Sequence, residues 1–87
     1  MKEHGLEDRI RQVIGESARL PVDINKLPET ADLYAAGMTS HASVNLMLGL
    51  EDAFGVEFPD RMLRRSVFES IASIRVALEE LSTEAAA

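Results

Sequence analysis

Ser40 is the residue whose type and position best suit it for chemistry in this sequence. It follows the triplet Gly37–Met38–Thr39 and opens a strongly patterned helix, so its hydroxyl should lie beside backbone N–H groups that have no partner within the helix. These groups carry a partial positive charge, which favours a phosphate at that point. A serine or threonine before a helix also commonly acts as its cap, and Thr39 or Ser40 can do so here. From its position alone, Ser40 is either a phosphate attachment point or an ordinary capping residue.

The remaining polar residues match no catalytic template. The bases active near neutral pH are His4 and His41, and there is neither a glycine-rich phosphate loop ending in lysine nor a histidine pair at helical spacing for zinc. The paired carboxylates Glu51–Asp52 and Glu79–Glu80 point about 100° apart on a helix, so each pair is expected to be solvated rather than to share a proton. The chain has no cysteine, so any thiol chemistry must come from an added group. We expect no metal site and no enzymatic activity of the chain itself.

The elements that position Ser40 are predicted to be helical. Helix one should run from Leu6 to Arg19, because its apolar residues recur at the spacing of one helical face, and Pro21 should prevent its continuation. Residues 21–39 show no sustained period and form a long loop. The expected loop anchors are Val22, Ile24, Leu27, Leu33 and Tyr34.

Helix two should be capped by Thr39 or Ser40 and run to about Phe54, with Gly55 as a left-handed cap. Its expected buried face consists of Val44, Met47, Leu48, Leu50 and Phe54. A short helix is expected from Asp60 to Arg65, and Ser70 should cap a last helix whose apolar face is Ile71, Ile74, Leu78 and Leu81. The fold class is therefore all-α, a small four-helix bundle with a short third helix and a long first loop. Residues 1–87 should form a single domain, ordered over about 6–82.

The composition narrows the class of partner. Fifteen acidic against nine basic residues leave a net charge of −6, which repels nucleic-acid phosphates and anionic membranes. No apolar run approaches the length that spans a bilayer or forms a signal peptide. We therefore expect a cytoplasmic protein, monomeric, with no nucleic-acid or membrane partner.

The run from Ala31 to Asp60 resembles the acyl and peptidyl carrier protein family. The family's Asp-Leu pair is matched by Asp32 and Leu33, and its glycine three residues before the modified serine is matched by Gly37. Further matches in the same register are Val44, Leu46, Leu50, Glu51, Phe54, Pro59 and Asp60. Helix order and the long first loop agree as well, so the resemblance covers nearly the whole chain.

The resemblance implies a function for Ser40. In the family, a transferase uses Mg²⁺ and coenzyme A to place a 4′-phosphopantetheine arm on the serine that Ser40 matches. The free thiol of the arm then carries an acid as a thioester between enzymes. The segment from Gly37 to Glu51 is most similar to atypical aminoacyl carrier proteins, which are loaded by ligases resembling class II aminoacyl-tRNA synthetases. The expected partners are thus a phosphopantetheinyl transferase, an amino acid:[carrier protein] ligase and a downstream acceptor enzyme that the sequence does not identify.

Two departures from the family pattern bear on partners. Thr39 and His41 flank Ser40 where most of the family has Asp or His before it and Leu after it, and early helix two lacks the carboxylates of fatty-acid carriers. Met38 and Met62 are candidates for an adaptable partner surface, since methionine side chains are flexible. Arg61, Arg64 and Arg65 form a basic group in an acidic chain, either solvated or in contact with an acidic ligase surface.

We therefore expect a carrier of a small amino acid, such as glycine or alanine, on Ser40. The alternative within the class is an acyl carrier for fatty-acid or polyketide synthesis. The alternative from another class is an unmodified helical adaptor that binds partners through helix two.

Overall fold

The computed structural model describes the backbone of residues 2–86 and the side chains of residues 5–82. Four α-helices occur in this part of the chain: α1 (Lys2–Ser17), α2 (Ser40–Phe54), α3 (Arg65–Phe68) and α4 (Ile71–Ala86). Single 3₁₀ turns lie at Ile24–Lys26 and Asp60–Met62, and residues 2–86 contain no strand. The predicted all-α bundle with a long first loop and a short third helix is confirmed.

The core lies between α1, α2 and α4. The largest fully buried side chains are Ile10, Ile14, Leu33, Leu46, Leu50, Ile71 and Ile74. The apolar stripe predicted for α4 is buried throughout, and Leu6 at the start of the α1 stripe is partly buried. Amphipathic spacing therefore identifies the packed faces of these two helices correctly.

The predicted buried face of α2 is partly wrong. Leu46 and Leu50 are completely buried, whereas Val44 is 51% exposed and Leu48 is 53% exposed. The packing of α2 on α1 fixes this orientation, because a Cβ added at Gly49 would lie 3.2 Å from Val13 Cγ1. Apolar residues occur on nearly every side of α2, so their spacing does not by itself select the packed face.

Two helix boundaries also differ from prediction. Helix α1 begins at Lys2 rather than Leu6 and ends at Ser17, because Arg19 adopts a left-handed conformation with φ 49°. The short helix expected from Asp60 to Arg65 is instead a 3₁₀ turn, and α3 starts only at Arg65. The extended backbone of Arg64, with φ −129° and ψ 150°, separates the two elements.

The long loop between α1 and α2 is held by polar contacts as well as by apolar anchors. The Arg11 guanidinium donates to the Ile24 carbonyl at 2.6 Å and the Leu27 carbonyl at 2.8 Å. From the other side, Arg75 of α4 pairs with Glu29 at 2.6 Å. Of the predicted anchors, Ile24 and Leu33 are buried and Leu27 and Tyr34 are partly buried, but Val22 is 44% exposed and is not an anchor.

Two serine side chains cap the start of α4. The Ser73 backbone N–H donates to Ser70 Oγ at 3.1 Å, and the Ser70 N–H donates to Ser73 Oγ at the same distance. The predicted Ser70 cap is thus present as a reciprocal capping arrangement. This arrangement fixes the direction in which α4 leaves α3.

Candidate functional site

Ser40 is the first residue of α2, and Thr39 is the residue that caps the helix. Thr39 has extended backbone angles, and its Oγ1 accepts a hydrogen bond from the Ala42 N–H at 3.0 Å. The Ser40 side chain is therefore not required as a cap. This removes the ordinary structural explanation for Ser40 and leaves its hydroxyl available for another purpose.

The Ser40 hydroxyl is exposed, and within the described residues no hydrogen bond engages it. By contrast, Ser43 Oγ is half-buried and donates to the Ser40 carbonyl at 2.7 Å. No acidic residue lies in the first turn of α2, so the partial positive charge of the helix start is not neutralised by a neighbour on the helix. The local geometry thus distinguishes two serines on one helix turn, one with an available hydroxyl and one with an occupied hydroxyl.

The loop before Ser40 is built to fix its position. Leu33 is fully buried, and its N–H donates to the Glu69 carbonyl at 2.6 Å, which joins the loop to the end of α3. The Asp32 carboxylate accepts from the Tyr34 N–H at 2.9 Å and closes a tight turn. The Asp-Leu pair identified in the sequence therefore has a local structural role.

Gly37 is required where it stands. Its φ of 119° lies in a region that residues with a side chain rarely adopt, and an added Cβ would lie 2.7 Å from Pro21 Cδ. The chain passes closely over Pro21 and then turns into α2 three residues later. Gly37 thus aligns the approach to Ser40.

A groove of about 440 Å³ opens beside Ser40, between α2 and the segment that leads into α3. Its described lining residues are Tyr34, Ser40, Ser43, Val44, Met47, Leu63, Arg64, Arg65 and Phe68. Five of these are aliphatic, aromatic or thioether side chains, and the only charged ones are arginines. The groove can therefore accept an elongated, partly apolar chain attached at Ser40.

The three arginines predicted as one basic patch have different environments. Arg61 pairs with Glu80 of α4 at 2.8 Å and does not line the groove. The Arg65 guanidinium lies 3.8 Å from the centroid of the Tyr34 ring. Arg64 is exposed at the groove and has no hydrogen bond or ion pair within the described side chains. Only Arg64 and Arg65 belong to the surroundings of Ser40.

The methionines predicted as a partner surface lie in the core. Met38 is 3% exposed and Met62 is 4% exposed, because the loop and the 3₁₀ turn that carry them fold inward. The prediction that their side chains form an adaptable surface is wrong for this conformation. Thr39 and His41 are exposed beside Ser40, while the side chain of His4 lies outside the described residues.

Sequence reasoning missed an apolar surface next to the site. Val44 and Leu48 lie one turn apart on the outer side of α2, and Leu63 on the facing segment is 47% exposed. Apolar spacing alone cannot separate such a surface from a core stripe. The available signal was the excess of large apolar residues on α2 over what one buried face requires.

Among the described residues, no group of three or more histidine, cysteine, aspartate or glutamate side chains is arranged to hold a metal ion. The helices described contain no segment long and apolar enough to cross a membrane.

Comparison with known proteins identifies the family of the chain. Residues 8–75 match the sequence profile of the family described as the phosphopantetheine attachment site, so the chain belongs to that family. The resemblance to carrier proteins noted in the sequence is thereby confirmed, and 4′-phosphopantetheine is the group that the family attaches.

A curated relative and a solved structure show which members of the family the chain is similar to. The chain is 49% identical over 65 residues to an aminoacyl carrier protein of Agrobacterium fabrum, covering 75% of this chain and 78% of the relative. It is 44% identical to a chain in the crystal structure of engineered Bradyrhizobium japonicum glycine:[carrier protein] ligase complexed with a carrier protein from Agrobacterium tumefaciens and AMP. That match has a TM-score of 0.81 and covers 84% of this chain and 97% of that chain.

A more distant structure gives the same fold. The chain matches, at 26% identity and a TM-score of 0.71, a chain in the structure of Bradyrhizobium japonicum glycine:[carrier protein] ligase complexed with glycylated carrier protein. The match covers 83% of this chain and 96% of that chain.

Proposed function

We propose that this protein is an aminoacyl carrier whose Ser40 bears a 4′-phosphopantetheine arm and that it carries a small amino acid, such as glycine or alanine, as a thioester. The observation that carries the proposal is the exposed and unbonded hydroxyl of Ser40 at the start of α2. The similarity of the chain to an aminoacyl carrier protein and to chains in glycine:[carrier protein] ligase complexes supports an amino acid as the cargo.

The residues around Ser40 suit the arm. In the attachment reaction, Ser40 Oγ attacks the β-phosphorus of coenzyme A, loses its proton to a base of the transferase and displaces 3′-phosphoadenosine 5′-phosphate. The positive start of α2 favours the negative charge of the resulting phosphodiester. When bound, the arm supplies the thiol that this cysteine-free chain lacks, and the thiol forms the thioester with the amino acid.

The described residues support a passive role in chemistry. Ser40 has no base within hydrogen-bonding distance among the described side chains, so its activation is assigned to the transferase. The protein then holds the arm at a fixed point while partner enzymes act on its end. We place this cycle in the cytoplasm, where coenzyme A and ATP are available to the transferase and the ligase.

The ligase is proposed to approach over the outer side of α2. Thr39 and His41 flank Ser40 there, and Val44, Leu48 and Leu63 form an exposed apolar surface next to the groove. Apolar residues at the centre of an interface with charged residues at its rim are typical of protein–protein contacts. Arg64 and Arg65 would provide the charged rim toward an acidic region of the ligase.

The fatty-acid alternative is less well supported by the charges on α2. Its acidic residues are Glu51 and Asp52 near the far end, and the Glu51 carboxylate accepts a hydrogen bond from the Phe58 N–H at 2.9 Å. Asp52 therefore remains as the exposed carboxylate of this helix. A basic partner surface that reads a series of carboxylates on α2 would find few of them here.

Intact mass measurement tests the proposal. Purified protein is incubated with Mg²⁺, coenzyme A and a broad-specificity phosphopantetheinyl transferase, and the mass increase of one arm is expected. The modified protein is then offered a panel of amino acids and fatty acids, each with its ligase and ATP. Failure to add the arm would favour the helical adaptor, and efficient fatty-acyl loading without any amino acid would favour the fatty-acid carrier.

A further inference from the structure

The groove beside Ser40 has an unusual charge for this protein. The chain as a whole carries −6, yet the described residues that line the groove include two arginines and no carboxylate. Among the other arginines, Arg61 and Arg75 pair with Glu80 and Glu29, whereas Arg9 and Arg19, outside the groove lining, have no ion pair within the described side chains. The groove is thus a place where two arginines adjacent in sequence lie together without a carboxylate among the described lining residues.

The aromatic rings of the groove, Tyr34 and Phe68, are already in contact with other side chains. The face of an aromatic ring is the part of an apolar groove that attracts a cation. The Arg65 guanidinium already lies 3.8 Å from the Tyr34 ring centroid, and Phe68 is 5% exposed with its ring packed edge-on against Phe58. A second cation that enters the groove would find no carboxylate among the described lining residues. The Tyr34 ring face that could attract it is already covered by Arg65.

We propose that Arg64 and Arg65 make this groove selective by charge, so that it rejects the ammonium end of an aminoacyl arm and admits a neutral or anionic acyl end. The inference rests on the proposed attachment at Ser40 and concerns what happens after it. An aminoacyl thioester carries a free ammonium group, which would have to lose water and approach two guanidinium groups in order to enter. A neutral acyl end pays neither cost and gains apolar contact with Val44, Met47 and Leu63.

This selectivity has a functional consequence. A cargo that enters the groove is shielded from enzymes until it is released, whereas a cargo kept out remains exposed at the end of the arm. The arginines would thus keep an aminoacyl group presented to the acceptor enzyme. The same residues would let a wrongly loaded neutral acyl group settle on the protein.

The test uses three arm analogues that differ in charge but hardly in size. Glycyl, propionyl and malonyl ends, carrying positive, zero and negative charge, are joined to the arm by an amide in place of the thioester so that they resist hydrolysis. A phosphopantetheinyl transferase attaches each from its coenzyme A analogue, and intact mass confirms the attachment. The methyl signals of Val44, Met47 and Leu63 are then followed by ¹H–¹³C NMR at low ionic strength and compared with the form that carries the plain thiol arm.

Relative to the plain thiol arm, we expect the propionyl and malonyl ends to shift the methyl signals of the groove residues. The glycyl end should leave these signals unchanged. The groove-bound fraction of the propionyl form should exceed that of the glycyl form by about fivefold, as expected for repulsion by two partly solvated charges. Added salt should reduce this ratio. In the Arg64→Glu variant the glycyl end should begin to move the signals, while Lys26→Glu, an equal charge change at a residue outside the groove lining, should not produce this effect.

Each other outcome has a definite meaning. If the arm attaches but the glycyl end moves the signals as strongly as the propionyl end, or if no end moves them, the charge selectivity is refuted while the carrier function stands. If intact mass shows no attachment, the proposed function is refuted and this inference fails with it.

Discussion

The guanidinium of Arg65, the first residue of α3, lies 3.8 Å from the centroid of the Tyr34 ring in the loop that leads to Ser40. The contact joins two segments that are far apart in sequence and meet at the groove. A cation at this distance from an aromatic face is attracted by the ring, and guanidinium groups also stack flat on it. The position of α3 and the approach to Ser40 are thereby coupled.

Replacing Arg65 by Gln should reduce the free energy of unfolding by about 0.5 to 1 kcal/mol, the usual size of an exposed cation–π contact. Arg64→Gln is the matched control, because it changes the net charge equally and Arg64 touches no ring within the described residues. Urea denaturation measures both variants. Equal losses in the two would mean that the Tyr34 contact contributes nothing measurable.

Three leucines of α2 provide a test of which side of the helix is packed. Leu46→Ala and Leu50→Ala should each destabilise by about 2 to 5 kcal/mol, because both side chains are fully buried. Leu48→Ala should cost less than about 1 kcal/mol, since this side chain is 53% exposed. Thermal or urea denaturation of the three variants checks the order. A large loss at Leu48 with small losses at its neighbours would place the helix the other way round.

The same helix shows how far the sequence can predict this fold. In α4 the buried positions stand out because Glu79 and Glu80 mark the solvent side. In α2 the polar residues are too few to mark it, because Val44 and Leu48 are apolar and yet exposed. In the sequence, an exposed apolar residue cannot be told from a buried one. The helices and their order were therefore predictable, whereas the orientation of α2 needed tertiary packing to reveal it.

The candidate site was predictable in part for a similar reason. Ser40 is the candidate because it follows Gly37 at a helix start and matches the modified serine in the register of the family resemblance. Met38 and Met62 were misplaced because their burial depends on how the loop and the 3₁₀ turn fold over the core. Arg61 differs from Arg64 and Arg65 because it pairs with Glu80, which lies nineteen residues further along the chain. Local spacing carries no information about such contacts.

Gly37→Ala should destabilise the protein by about 1 to 3 kcal/mol, because alanine disfavours a φ of 119° and its Cβ would meet Pro21. Gly55→Ala is a useful comparison, since Gly55 is also left-handed, with φ 65°, but an added Cβ there meets nothing within 4 Å. The Gly55 variant should lose less stability in the same urea titration. Equal stability of Gly37→Ala and the wild type would show that the loop can take another path to Ser40.

The serine and threonine residues at the start of α2 should separate attachment from capping. Ser40→Ala should abolish arm attachment with a stability change within about 0.5 kcal/mol, because Ser40 does not cap the helix. Thr39→Ala should cost about 0.5 to 2 kcal/mol through loss of the cap and should still accept the arm. Ser43→Ala should also be modified, since its hydroxyl is bonded to the Ser40 carbonyl. Intact mass and peptide mapping give the attachment site, and an arm found on Ser43 or Thr39 would contradict the assignment.

The charged rim of the groove should affect loading by the ligase. Reversing Arg64 and Arg65 to Glu should lower kcat/KM for amino-acid loading by about tenfold at low ionic strength, if the ligase presents an acidic region there, because such charges steer the encounter of two proteins. The loss should shrink as salt is added, since exposed charges are then screened. Arg19→Glu with Lys26→Glu is the matched control, because it changes the net charge equally at residues that do not line the groove. Arm attachment by the transferase, measured by intact mass, shows whether each variant still presents Ser40. A loss of equal size in both double variants would trace the effect to net charge, and a loss that persists at high salt would point to a changed groove rather than to steering.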